Sequence, residues 1–159
     1  REANNMGILF PFHPLEKHLT VVENLTLPLI AKGYGRLKQL RRVKQLANIF
    51  DLNTNLRYFP TEISEGEARL YQILRALMPF PKLLILDEPF SGVDHRKAVR
   101  IMTYLREEAI VNNLTVIIVA HDVRLHPFAH RVIKLRDGKI SSSSGDIQLD
   151  QEMPNYFRI

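Results

Sequence analysis

Asp87 and Glu88 stand together after the apolar run Leu83-Leu84-Ile85-Leu86 and before Pro89. A carboxylate at the end of a buried strand can hold Mg2+ directly or through water, and that ion neutralises phosphate charge. Glu88, the next residue, can orient and polarise an attacking water. For an isolated Asp-Glu pair the structural alternative is that Asp87 caps the following turn and Glu88 is a surface acid. The full string Leu-Leu-Ile-Leu-Asp-Glu-Pro is more specific than the pair.

His121 follows Val119-Ala120 and precedes Asp122. From a strand end it could donate to a terminal phosphate or to a bound water; the alternative is a satisfied loop histidine. His13, His18, His95, His126 and His130 are read as that alternative, because their spacing forms no metal-ligand set. Ser64-Glu65-Gly66-Glu67 sits where a helix begins. Backbone N–H groups and the helix dipole there favour an anion, and Ser64 adds a hydroxyl. A plain helix cap accounts for Ser64 equally well. Glu65 and Glu67 complement the dipole but repel phosphate, so the residues alone leave both readings open.

These groups need elements to position them. Gly7-Ile8-Leu9-Phe10, stopped by Pro11, reads as a buried strand. Thr20 and Glu23 have capping-box spacing and start a helix that Gly33 and Gly35 break; Arg36 to Phe50 continues with helical periodicity. Asp51 to Tyr58 is a polar connector. Ser64 and Glu67 repeat the capping-box spacing and open a helix through Met78, ended by Pro79 and Pro81. Leu83 to Leu86 and Thr115 to Val119 are continuous apolar runs, expected to be strands covered on both faces. A helix is expected from His95 to Ala109 and a short one from Val123 to Ala129. Arg131 to Leu135 reads as a third strand, turning at Asp137-Gly138 into Lys139-Ile140. Ser141 to Ser144 reads as a mobile linker, and the tail after Asp150 is uninformative. Strands alternating with helices give the α/β doubly wound pattern, in which ligands bind at the carboxyl ends of the strands. Asp87-Glu88 and His121 both lie at that edge.

Composition sets the bounds. The 159 residues fit one domain with a substantial core, with 45% hydrophobic and 25% charged residues. Cysteine is absent, which removes disulfides and thiolate metal sites. No apolar run is long enough to span a membrane and no signal peptide is visible. The first residue is Arg1, not Met, which suggests a missing N-terminal segment. The net charge of +5 permits attraction to phosphates or an anionic membrane. The cluster Lys38, Arg41, Arg42 and Lys44 is expected to be an exposed helix face, since no aromatic residues interleave it as in a nucleic-acid patch.

In order and spacing, the motifs resemble the nucleotide-binding domain of ABC transporters, from about Gly7 to Ile140. Ile63-Ser64-Glu65-Gly66-Glu67 looks like the signature loop, usually Leu-Ser-Gly-Gly-Gln, and Arg75-Ala76-Leu77 continues like the signature helix. Leu83 to Asp87 looks like the Walker B strand, with Glu88 at the catalytic-base position. Ser91-Gly92-Val93-Asp94 looks like the D-loop, and His121 matches the switch histidine. Gly7 to Phe10, followed by Thr20-Val21-Val22-Glu23-Asn24, resembles the Q-loop region leading into the helical subdomain. The resemblance implies a P-loop NTPase-type, mostly parallel sheet flanked by helices, with an α-helical subdomain carrying the signature motif. Its boundaries would be 1–11 for the core strand and Q-loop region, 12–80 for the helical subdomain, 81–140 for the catalytic core and 141–159 for a linker and tail.

The resemblance further implies ATP and Mg2+ as cofactors. Glu88 would be the general base, His121 the γ-phosphate sensor and Asp87 the metal ligand, with Ser64, Gly66, Glu67 and Asp94 contacting nucleotide. The expected partners are a second nucleotide-binding domain, in a homo- or heterodimer, and transmembrane transporter subunits, at the cytoplasmic face of the inner membrane; no direct contact with nucleic acid is expected. The Thr20–Leu29 segment leans toward importer-like and lipid- or lipoprotein-export ATPases. Three departures stand out. No Gly-x-x-x-x-Gly-Lys-Ser/Thr occurs, so the Walker A portion is expected to be missing and the chain to bind ATP poorly. Pro11 occupies the Q-loop glutamine position. Glu65 and Glu67 replace the usual Gly and Gln. These changes keep a second reading in play, a non-hydrolysing regulatory or assembly module of the same fold. An ABC-type ATPase of DNA repair or translation is a third, without a coiled-coil insertion to support it.

Overall fold

The computed structural model describes residues 6–11, 14–52 and 55–143. The expectations for His13, Ser144 and both chain ends lie outside these residues. Three parallel strands form the central sheet: β1 (Met6–Leu9), β2 (Leu83–Asp87) and β3 (Thr115–Val119), in the spatial order β1-β2-β3. The register sets Ile8 beside Ile85 and Ile85 beside Ile117, and it closes with Asp87 beside Val119. The excursion from β1 to β2 carries α1 (Val21–Ala31), α2 (Arg36–Ile49) and α3 (Glu65–Leu77); β2 returns to β3 through α4 (His95–Asn112).

Local chemistry explains where the helices begin. At α1 the Glu23 N–H donates to Thr20 Oγ1 and the Thr20 N–H donates to Glu23 Oε2, which satisfies two donors that a helix start leaves open. Buried Asn24 fastens the preceding loop: its Nδ2 donates to the carbonyls of Glu16, Leu19 and Thr20, and its Oδ1 accepts from the Glu16 N–H. The helix α3 is the hub, packing on α1, β1 and β2. It buries Leu70, Tyr71, Ile73, Leu74 and Leu77 along one stripe. The Tyr71 hydroxyl donates to the Leu52 carbonyl at 2.8 Å, and burial pushes its pKa up to about 12. Phe50, just past α2, meets Tyr104 of α4 edge to face at 5.2 Å. Gly7 lets α3 lie against β1, since a Cβ there would collide with the Ala76 carbonyl oxygen.

Four expectations change. The apolar strands are covered on one face only among the described residues. Leu9, Leu84 and Leu86 are buried under the helices, whereas Met6, Ile8, Ile117 and Val119 on the other face are 38–54% exposed. A continuous apolar run signals burial on both sides, but α3 and α4 feed one common core. Second, the strand expected at Arg131–Leu135 does not join the parallel sheet. It is β4 (Ile133–Arg136), paired antiparallel with β5 (Lys139–Ser143) across Asp137 and Gly138, both at positive φ. Its charged residues Lys134 and Arg136 suit a solvated hairpin, not a core strand. Third, Ser141 to Ser143 are not a linker but part of β5, where Ser141 Oγ donates to the Lys134 carbonyl. Fourth, Arg42 leaves the basic row of α2 and is buried. Its Nη2 donates to the Leu77 carbonyl at 3.2 Å and its guanidinium lies 4.3 Å from the Phe80 ring centroid.

Candidate functional site at the carboxyl edge of the sheet

The strands β2 and β3 end together, which brings the carboxylates and the histidine to one edge. Asp87 closes β2, half-buried, and its carboxylate makes no hydrogen bond or ion pair among the described residues. Glu88 turns sharply away, at φ 45. A non-glycine residue in that left-handed region is strained by about 1–2 kcal/mol and persists where its surroundings fix it. They do so on both sides of the residue. The Glu88 N–H donates to the Val119 carbonyl at 2.8 Å, and the Glu88 carbonyl accepts from Arg69 Nη2 at 3.0 Å.

The Glu88 side chain reaches across to His121, just past the end of β3. Its Oε1 lies 2.8 Å from His121 Nδ1, with the carboxylate side chain 34% and the imidazole 86% exposed. The hydrogen bond to Glu88, then its negative charge, raises the His121 pKa above the ordinary histidine value. When protonated, His121 donates Nδ1–H to the carboxylate. That contact engages one oxygen of the Glu88 carboxylate, Oε1. Asp87, Glu88 and His121 thus gather as the sequence suggests.

The Ser64–Glu67 turn lies beside this edge, joined through the loop after Glu88. Gly66 packs against the carbonyl of Gly92; a Cβ on Gly66 would stand 2.7 Å from that oxygen. Ser64 caps α3, with its Oγ accepting from the Glu67 N–H. Its hydroxyl also donates to Glu67 Oε2 at 2.8 Å, and the same oxygen accepts the Ser64 N–H at 3.1 Å. The other Glu67 oxygen accepts from Asn55 Nδ2 at 2.8 Å. The hydrogen bonds from the Ser64 hydroxyl and N–H hold the Glu67 carboxyl below its usual pKa, so it carries a charge. The turn is a complete helix cap, and the Glu67 carboxylate takes up the Ser64 hydroxyl and N–H. Asp94 is likewise a cap, with Oδ1 accepting from the N–H groups of Arg96 and Lys97 at the start of α4. Phe90 and Val93 anchor the intervening loop against the core.

Arg69 and Asn55 take part without having been singled out. Arg69 flanks the apolar stripe of α3, and its partner lies 19 positions away, a pairing no local spacing marks. Asn55 sits in the polar connector, where only its amide hints at a capping partner. A magnesium ion fits the donor set. No group of three His, Cys, Asp or Glu side chains converges among the described residues. Mg2+ in phosphoryl-transfer sites needs only one or two carboxylates beside phosphate and water, and Asp87 offers one.

Comparison with known proteins identifies the family. The family model described as "ABC transporter" matches residues 1–91, more than half of the chain. The "Putative hemin import ATP-binding protein HrtA" of Staphylococcus aureus (strain MRSA252) is 33% identical over 137 residues, 86% of this chain and 62% of that protein. Its counterpart from strain Newman matches to the same extent. The chain thus spans 62% of the length of these relatives. Among solved structures, the dimeric post-hydrolysis state of the ATP-binding cassette MJ0796 bound to ADP and Pi superposes with a TM-score of 0.83 at 27% identity, covering 89% of this chain and 63% of the other. A second dimeric structure of MJ0796, a bacterial ABC transporter cassette, gives the same TM-score and coverage. On the family match over more than half of the chain and on these relatives, the chain belongs to the ABC transporter family.

Proposed function

We propose that the chain contributes the Glu88 half of an ATP-hydrolysing site in a membrane transporter, working with a second nucleotide-binding domain and with transmembrane subunits at the cytoplasmic membrane face. The observation that carries this reading is the Glu88–His121 pair at 2.8 Å, beside Asp87 at the strand ends. Glu88 Oε2 takes the proton of the attacking water, while His121 holds Oε1 and keeps the carboxylate aimed. Bound Mg2+ supplies neutralisation of the phosphate charge, and Asp87 is the residue that would hold it. His121, largely exposed, senses the terminal phosphate in this reading. Ser64, Gly66 and Glu67 form the turn offered to nucleotide held by the partner domain, with Asp94 shaping the loop between. No helix among the described residues is long and apolar enough to cross a membrane, as suits a peripheral subunit. The hemin import named for the S. aureus relatives makes a porphyrin or similarly amphipathic cargo the first to try.

The test is ATP turnover by the assembled transporter containing this chain. Glu88→Gln should abolish hydrolysis at this site while ATP binding persists; turnover that survives the change means another group is the base. One observation favours the second reading, a non-hydrolysing module: the Glu67 carboxylate already engages the Ser64 hydroxyl and N–H. A phosphate approaching that turn meets a negative charge. If Glu67→Gln together with Glu65→Gly raises turnover, the site is a restrained ATPase. If turnover stays absent while nucleotide still binds, the chain is a regulatory module.

A further inference from the structure

We propose that Arg69 is a positioning residue that locks the Ser64–Glu67 turn to the Glu88–Gly92 loop within one subunit, so that the two half-sites of that subunit move as one body. The inference rests on reading Glu88 as the general base and Ser64–Glu67 as the turn that faces the partner's nucleotide. Arg69 Nη2 donates to the Glu88 carbonyl at 3.0 Å, and its Nη1 donates to Gln72 Oε1 at 3.3 Å, which steadies the guanidinium on α3. Glu88 is the strained residue of the loop, at φ 45, so its geometry depends on such external holds.

A second contact comes from the same turn of α3. Gly66 and Arg69 are three positions apart and so share a helix face. Gly66 abuts the Gly92 carbonyl closely enough that even a methyl group would stand 2.7 Å from it. One rigid helical turn therefore grips the loop at both ends, at Glu88 by a charge-assisted hydrogen bond and at Gly92 by backbone contact. A force on the Ser64 turn, from a phosphate on the partner, is passed to the peptide that aims Glu88. The two sites of a dimer would be coupled through each subunit's own Arg69.

The test compares Arg69→Ala and Arg69→Gln with the unaltered chain by hydrogen–deuterium exchange. Gln retains a donor amide group and guards against a folding defect. Loss of a charge-assisted hydrogen bond should speed exchange in the peptide spanning 88–93 by about tenfold or more in Arg69→Ala, and less in Arg69→Gln. Exchange in α1 and α2 should not change. Faster exchange in α3 with none at 88–93 would mean that Arg69 only supports its own helix, and the inference falls. In the assembled transporter, Arg69→Ala should lower kcat for ATP by about tenfold with KM within about twofold, because the base is misaimed and binding is untouched. A raised KM at unchanged kcat overturns it. If the unaltered assembly hydrolyses no ATP, the base reading fails, and the exchange result alone still decides whether Arg69 couples the turn to the loop.

Discussion

Replacing Gly7 by Ala is the sharpest probe of how the sheet and the hub helix are fitted together. Gly7 lies in β1, in register with Leu84, and faces the last turn of α3. An added Cβ would sit on the Ala76 carbonyl oxygen, 3.0 Å from the Ala76 carbonyl carbon and 3.0 Å from Leu84 Cδ1. Normal carbon contacts are about 3.5 Å, so a displacement of about 1 Å is needed. Leu84 can turn a rotamer; the carbonyl belongs to a helix and cannot. Overpacking of this kind destabilises by about 1–3 kcal/mol, and the rigid Ala76 backbone argues for the upper half of that range. Against it, losing a glycine narrows the unfolded ensemble and returns about 0.4–1 kcal/mol. The net loss should be about 2 kcal/mol. With a urea m-value of about 1–3 kcal/mol per molar, the unfolding midpoint should fall by about 1 M. Gly35→Ala is the control, since nothing lies within 4 Å of a Cβ there, and it should change stability by about 0.5 kcal/mol at most. If Gly7→Ala unfolds at or above the midpoint of the unaltered chain, the close approach of β1 and α3 is wrong.

Three further outcomes follow from the same geometry. Leu74→Ala, in the fully buried stripe of α3, should destabilise by about 2–5 kcal/mol in the same urea assay, whereas exposed Leu37→Ala should stay within about 0.5 kcal/mol. Glu67 has its pKa lowered on folding, so it contributes stability above its ordinary 4.5 that is lost as pH falls through the lowered value. Thermal melts should show an acid limb that flattens in Glu67→Gln. His121 has its pKa raised, so its contribution is fully present below its ordinary 6.5 and disappears as pH rises through the raised value. Its NMR titration midpoint should drop toward that ordinary value in Glu88→Gln, and an unchanged midpoint would mean the 2.8 Å contact does not form in solution.

Where the determinant is local, the sequence sufficed. Thr20 with Glu23 and Ser64 with Glu67 make the capping boxes that their spacing announces, because both partners lie within one turn. Asp137-Gly138 makes the hairpin, because only the turn residues need positive φ. Asp87, Glu88 and His121 reach one edge because parallel strands share their direction. Residue type misled where position decides. Arg42 reads as surface charge, yet it lies on the stripe with Val43 and Leu46, and a carbonyl and an aromatic ring receive it. Arg131 to Leu135 reads as a third strand of the α/β pattern, yet Lys134 and Arg136 put it in a solvated ribbon outside the parallel sheet. The links from Arg69 to Glu88 and from Gly66 to Gly92 were not legible, since the chain must fold before those residues are neighbours.

The bare face of the sheet governs how this chain behaves in a tube. Met6, Ile8, Ile117 and Val119 form an apolar stripe across β1 and β3, the two outer strands of the sheet. Among the described residues each of them hydrogen-bonds only to β2, and Asp87, beside Val119, sets a charge only at the carboxyl end of this face. The +5 net charge opposes association at low ionic strength, and added salt screens that repulsion while leaving the apolar attraction intact. Salt that normally keeps a basic protein dispersed should therefore drive this one together, so dilute, low-salt buffer is the setting in which its single-chain properties are best read.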